Sequence, residues 1–95
     1  MTVITPTVGR IVWYWGPGTS PLVHGCQPQA AIVTYVHSDR LINISAFTHD
    51  GMPIARTSVD LRQEGDTRPV NGNYAEWMPY QLGQAKKHAP EVAAA

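Results

Sequence analysis

A small, strongly bent antiparallel β-barrel is the fold class this sequence predicts, on three observations. Residues 30–61 hold three runs rich in Val, Ile, Thr and aromatics. Two tight polar turns, Ser38-Asp39 and Asp50-Gly51, separate those runs, the pattern of a three-stranded antiparallel meander. Two further short β-type runs flank the meander, at residues 8–15 (VGRIVWYW) and 74–78 (YAEWM). A sheet this small must curl to cover its one core face. The expectation is a mainly β barrel of about five strands, Src-homology-3-like or of the oligonucleotide-binding type, with a short C-terminal helix.

The elements follow in chain order. Residues 1–7 form an extended arm, and residues 8–79 the barrel domain. In the first strand alternation puts Val8, Arg10, Val12 and Tyr14 on one face and Gly9, Ile11, Trp13 and Trp15 on the other, with Ile11 and Trp13 assigned to the core. Gly16-Pro17-Gly18 breaks this strand, and residues 19–28 have Pro, Gly and Ser without periodicity, a long loop carrying His24 and Cys26. Such loops in compact domains are often functional. Residues 62–73 read as a second polar loop. Pro79 ends the closing strand, residues 80–89 have helical character, Pro90 stops them, and residues 90–95 form a flexible tail.

The two turns fix a register for the meander. The first sets Val36 opposite Leu41, Tyr35 opposite Ile42 and Val33 opposite Ile44. The second sets Ile42 opposite Val59, Ile44 opposite Thr57 and Ala46 opposite Ala55. One face then collects Ala31, Val33, Tyr35, Ile42, Ile44, Ala46 and Val59 as the core. The other collects Thr34, Asn43, Ser45, Arg56 and Ser58, with Ile32, Phe47 and Ile54 clustered at one end as an interface or as packing beneath the first strand or loop.

Composition excludes several classes. Ninety-five residues make one domain, and 43% hydrophobic against 15% charged residues makes it globular rather than disordered. So short a chain buries a limited fraction of its surface, so a homo-oligomer is expected. Seven basic and seven acidic residues cancel, which disfavours a grip on extended nucleic acid. The single Cys26 allows no internal disulfide, so a cytoplasmic setting is expected. The first ten residues lack a basic n-region and a long apolar run, and no stretch approaches the roughly 20 apolar residues of a membrane span.

No spacing identifies a reaction, and no catalytic residue is assigned. His24, His37, His49 and His88 show no metal-ligand spacing with each other or with Cys26, so neither a metal nor a cofactor is expected. His37-Ser38-Asp39 resembles a triad by letters only, because adjacent residues in a tight turn cannot form the relay. Asp60, Glu64 and Asp66 read first as loop-solvating carboxylates. The aromatics carry more. Trp13, Tyr14, Trp15, Trp77 and Tyr80 lie towards the two ends of the chain, which become neighbours when a barrel closes. Tyr14 and Tyr80 could stack on a nucleobase, and Arg10, Arg56 or Arg62 could meet phosphates. The plainer alternative has Trp13 and Trp77 in the core and the two tyrosines as surface aromatics.

The segments GRIVWYW (9–15), PQAAIVTYVHSDRLINISAF (28–47), ARTSV (55–59) and EWMPYQLGQAKK (76–87) resemble a family of small tailed-phage and prophage proteins. That family carries a GRIV-Y start, an AAIV-x-x-V-H-S-D centre and a W-M-P-Y-Q-x-G-Q-A close. The resemblance implies a phage origin and action in the host cytoplasm, but no catalytic residue. Three functions then fit: a non-enzymatic anti-defence protein that sequesters a small nucleotide immune signal, a structural or assembly accessory of the particle, or an inhibitor that binds a host protein. Nucleotide retention, co-purification with particles and a host pull-down discriminate among them.

Overall fold

The computed structural model describes residues 3–94, with side chains described through Lys87. Strands β1 (Ile11–Trp15), β2 (Gln29–Ser38), β3 (Leu41–Phe47), β4 (Pro53–Arg62) and β5 (Tyr74–Glu76) precede one helix, α1 (Pro79–Ala94). The strands close into a barrel in the order β1-β2-β3-β4-β5, with β5 returning to pair with β1. The expected five-stranded β-barrel with a C-terminal helix is therefore the observed architecture. Its seams need one refinement. A closed ring of five strands cannot alternate direction throughout, and here β4 and β5 run parallel while the other four seams are antiparallel. A parallel pair needs a long crossover rather than a hairpin. The polar loop 63–73 supplies it.

The β2–β3 turn falls at Asp39-Arg40, one residue later than expected, with Ser38 opposite Leu41. Two irregularities in β2, between Val33 and Tyr35 and between Val36 and Ser38, each absorb a residue. They cancel the displaced turn, so Val33 still faces Ile44 as expected. Between them the expected pairing fails: Val36 faces Ile42, and Tyr35 faces Asn43 on the outer surface and is 56% exposed. Tyr35 therefore leaves the core assigned to it, whereas Ala31, Val33, Ile42, Ile44, Ala46 and Val59 are all buried.

The second turn also needs correction. Gly51 adopts a positive φ of 93° after His49 and Asp50, and Thr48 accepts from Gly51 and donates to Met52 through their backbones, a three-residue loop rather than two. Ile44 consequently faces Arg56 and Ala46 faces Ile54, while Ile42 still faces Val59 because a bulge near Ser58 restores the register. Ser58 sits at φ 53°, and Asn43 Oδ1 accepts its displaced N–H at 2.8 Å.

In β1 the buried face over residues 11–14 is the opposite of the expected one, although Trp15, on the expected face, is buried as well. Val12 and Tyr14 are within the barrel, whereas Ile11 is 40% exposed and Trp13 only half-buried. Pairing decides this: Val12 lies opposite Ala31, which lies opposite Ala46, so all three point inward. Both faces of this strand are apolar, and alternation alone could not choose between them.

One end of the barrel is plugged by Trp77 (2% exposed), with Ile4, Val36 and Leu82 packed around the core. Gln63, fully buried, organises this plug. Its Oε1 accepts from the Ile4 N–H (3.0 Å) and the Trp77 Nε1–H (3.2 Å), and its Nε2 donates to the Ile4 (2.9 Å) and Asp39 (2.8 Å) carbonyls. All four hydrogen-bonding valences of the amide are used. They tie the N-terminal arm at Ile4 onto the barrel. At the other end the loop after β1 packs on residues 71–73. Gly72 (φ 74°) lies so close that a Cβ there would stand 2.2 Å from the Gly16 carbonyl oxygen.

Helix α1 starts with Pro79 in the first-turn position that proline favours. The Gln81 side chain reaches back to accept the Met78 N–H at 2.7 Å, half of a capping box. Its Nε2 donates to the Ile11 carbonyl at 2.7 Å, and Lys86 pairs with Glu64, so the helix is fastened at both β1 and the crossover loop. The helix runs past Pro90, the expected stop. A proline there removes one hydrogen bond, but the alanines around it favour helix. The side chain of His88 and the last residue of the expected tail lie outside the described residues, as do the first two residues of the arm. No helix among the described residues is long and apolar enough to cross a membrane.

Candidate binding groove

The five arginines divide by what they touch. Arg40 makes a two-pronged pair with Asp66 (Nε–Oδ2 2.9 Å, Nη2–Oδ1 3.2 Å). Arg62 donates to the Asp66 carbonyl (2.9 Å) and to Glu76 (3.4 Å). Arg68 donates to both Glu76 oxygens (3.0 and 3.1 Å) and to the Tyr74 hydroxyl (3.3 Å). Among the described residues Arg56 reaches only its neighbour's carbonyl, that of Ala55. Arg10 differs from all of them. Among the described residues its guanidinium has no hydrogen-bond acceptor or ion-pair partner. It lies instead over the Trp77 ring, 5.9 Å from the centroid, in cation–π range.

Arg10 lines a groove of about 270 Å³ between the arm and α1, with Ile4, Tyr80, Gln81, Gln84 and Ala85. Tyr80 is 73% exposed. One cation with free N–H donors, one exposed phenol ring and carboxamides thus converge on one cleft. Two of the expected ligand residues, Arg10 and Tyr80, meet here. The other three do not. Tyr14 is 2% exposed and donates its hydroxyl to Asn73 Oδ1 at 2.8 Å, a structural position that no ligand reaches. Arg62 is spent on Asp66 and Glu76. Arg56 sits on the part of β4 that outruns β5, since only Asp60, Leu61 and Arg62 of β4 pair with that strand.

The expected interface trio is also divided. Ile32 and Phe47 pair with outward-facing partners, opposite Ser45 and Pro53, whereas Ile54 lies opposite the inward Ala46. All three are half-buried. The carboxylates disperse as well: Asp66 binds Arg40, Glu64 binds Lys86 and Asp60 is exposed. Among the described residues no group of His, Cys, Asp and Glu could hold a metal ion.

Two other hollows lack what the groove offers. A wide depression of about 680 Å³ between residues 27–30 and 47–50 carries the Asp50 carboxylate, held below the usual carboxylate range by the Thr48 hydroxyl. A negative charge there repels anions. A cleft of about 200 Å³ beside Tyr74 contains Arg40 and Arg62, both already paired.

The residue that sequence reasoning missed is Glu76. It is 5% exposed and accepts from the Trp15 Nε1–H (2.7 Å) as well as from Arg62 and Arg68. Burial opposes the Arg68 charge, but the Tyr74 hydroxyl and the Glu76 carboxylate outweigh it and hold that guanidinium above its usual range. A glutamate inside the apolar run YAEWM was the available signal, since a buried carboxylate demands partners.

Asp66 is held below the usual carboxylate range, first by the Arg40 hydrogen bond and then by the Gln63 backbone N–H. A folded-state pKa below the unfolded one contributes stability that is present above the unfolded value, near 4, and lost as pH falls through the folded value. Urea midpoints should therefore drop on acidification from pH 6 to pH 3 by more in the wild type than in Asp66→Asn. Equal drops would show that this pair contributes nothing.

Comparison with protein-family models, with curated proteins and with solved structures found no match.

Proposed function

We propose that this chain is a non-enzymatic phage accessory protein that holds a small nucleotide at the Arg10–Tyr80 groove, acting in the host cytoplasm to sequester a nucleotide immune signal. The observation that carries the reading is Arg10: an exposed guanidinium seated on Trp77, with no acceptor among the described residues, on a cleft that it shares with an exposed tyrosine. Guanidinium forks match phosphate oxygens, and aromatic faces stack on bases. The resemblance of the GRIV, VHSD and WMPYQ-x-GQA segments to tailed-phage proteins supports the biological setting. A homo-oligomer remains part of the proposal, with a second copy able to close the open side of the groove.

A panel of mononucleotides, cyclic nucleotides and ADP-ribose-type compounds, titrated calorimetrically, tests this. Wild-type protein should bind at least one of them, and Arg10→Ala should weaken that binding roughly tenfold, the worth of a charge-assisted hydrogen bond of about 1.5 kcal/mol. Unchanged binding in Arg10→Ala would remove the site assignment.

A second reading rests on a separate observation. Leu22 (85% exposed), Val23 and Val70 (90% exposed) project from two loops joined by the Gly18 N–H to Asn71 carbonyl bond. Apolar residues on linked loops suit docking on a larger protein, the particle or a host factor. Co-purification with particles, lost in Leu22→Ser with Val70→Ser, would favour that reading.

A further inference from the structure

We infer that two copies of this chain pair face to face through the outer surface of β1–β4, as an isologous dimer whose two-fold axis passes through Pro53. The inference deepens the homo-oligomer of the reading above and does not depend on its nucleotide. Antiparallel strands with one face in a core ordinarily turn polar residues to water on the other. Here the outer positions form two adjoining apolar rows. In the first, Trp13 stands opposite Ala30 and Phe47 opposite Pro53, and Ala30 adjoins Phe47 because Ala31 faces Ala46. In the second, Ile11 stands opposite Ile32, Ile32 opposite Ser45 and Ser45 opposite Ala55. Ser45 is the one polar side chain, and neither row carries a charge. Where the outer face continues to Trp15 and Glu76, both side chains are buried and Arg68 lies on the carboxylate. The two rows are left open: Ile11, Ala30, Pro53 and Ala55 are exposed and the other four are half-buried.

Charge points to the occupant. An isologous contact sets a surface against itself, so a charge at its centre would meet its like. An uncharged centre is what a second copy requires, and interfaces between identical chains have the more apolar cores. The rim supplies opposite charges. Asp50 and Arg56 lie three residues to either side of Pro53, both exposed. Among the described residues neither has an ion-pair partner: the Thr48 hydroxyl donates to Asp50, and Arg56 reaches only the Ala55 carbonyl. An axis along the first row, through Pro53, leaves that row facing its own copy and sets Arg56 of each protomer against the partner's Asp50. The two contacts are identical by symmetry.

Sedimentation velocity of the ligand-free protein over a concentration series tests this, with circular dichroism to check that each variant folds. Wild type should form a dimer. Ala30→Glu together with Ala55→Glu, both at exposed positions, should weaken it by roughly a hundredfold, because unpaired carboxylates then lie inside the contact. Arg56→Asp alone and Asp50→Arg alone should each weaken it about tenfold, and the two together should restore it, since the reversed pair attracts again. A dimer that survives the paired glutamates overturns this face while the homo-oligomer stands, and loss of that dimer in Leu22→Ser with Val70→Ser would move the contact to the loops. A double reversal that restores nothing overturns the Arg56–Asp50 register. A wild type that stays monomeric overturns the face and the homo-oligomer together. None of these results touches the groove, which the nucleotide titrations decide.

Discussion

Trp77→Ala should cost about 3–5 kcal/mol of stability, the range for removing a large buried aromatic from a core. Trp77 is 2% exposed, plugs one end of the barrel and belongs to the buried core against which Ile4, Val36 and Leu82 pack. Its indole N–H also occupies Gln63 Oε1, and Gln63 holds the arm. Truncation therefore opens a cavity, frees one valence of a buried amide and removes the surface on which Arg10 rests. Domains of this kind have roughly 5–15 kcal/mol in total. At about 4–8 °C per kcal/mol for a chain of this size, the melting temperature should fall by at least about 12 °C. Calorimetric or circular-dichroism melting measures it. A shift of less than about 4 °C would show that Trp77 is not the plug.

Glu76→Ala should be of similar size for a different reason. The carboxylate is almost fully buried and holds two guanidiniums and the Trp15 indole. Removing one partner of a buried ion pair costs about 3–5 kcal/mol because the other charge is left uncompensated. The Arg68 side chain is 37% exposed and can swing into water, whereas Arg62 at 18% has less freedom. The expected loss is therefore at the lower end, about 3 kcal/mol. Chemical denaturation of Glu76→Ala alone and with Arg62→Ala measures it. The double variant should recover part of the loss, since it removes the orphaned charge. Strict additivity of the two would show that Glu76 and Arg62 are not coupled.

The meander was legible because its two polar turns bracket runs of β-branched residues, and one buried face is enough to specify a register. Where reading failed, the cause was local. The β2 irregularities leave no mark in the letters around Tyr35, so a tyrosine in an apolar run was assigned inward. β1 is apolar on both faces, and only its pairing with Ala31 shows which side is covered. Gln63 sits in a stretch that reads as an ordinary polar loop, and nothing but the closed geometry makes its amide a four-way junction. That Arg10 and Tyr80 line one groove was legible because chain ends meet when a barrel closes.

Amide chemical-shift mapping of the wild-type protein during titration with the panel of mononucleotides, cyclic nucleotides and ADP-ribose-type compounds tests the central claim most directly. Saturable shifts confined to the neighbourhood of Ile4, Arg10, Tyr80 and Gln84, together with the Trp77 indole N–H, are the predicted result. Saturable shifts around Leu22 and Val70 instead, or none at millimolar nucleotide, would contradict it.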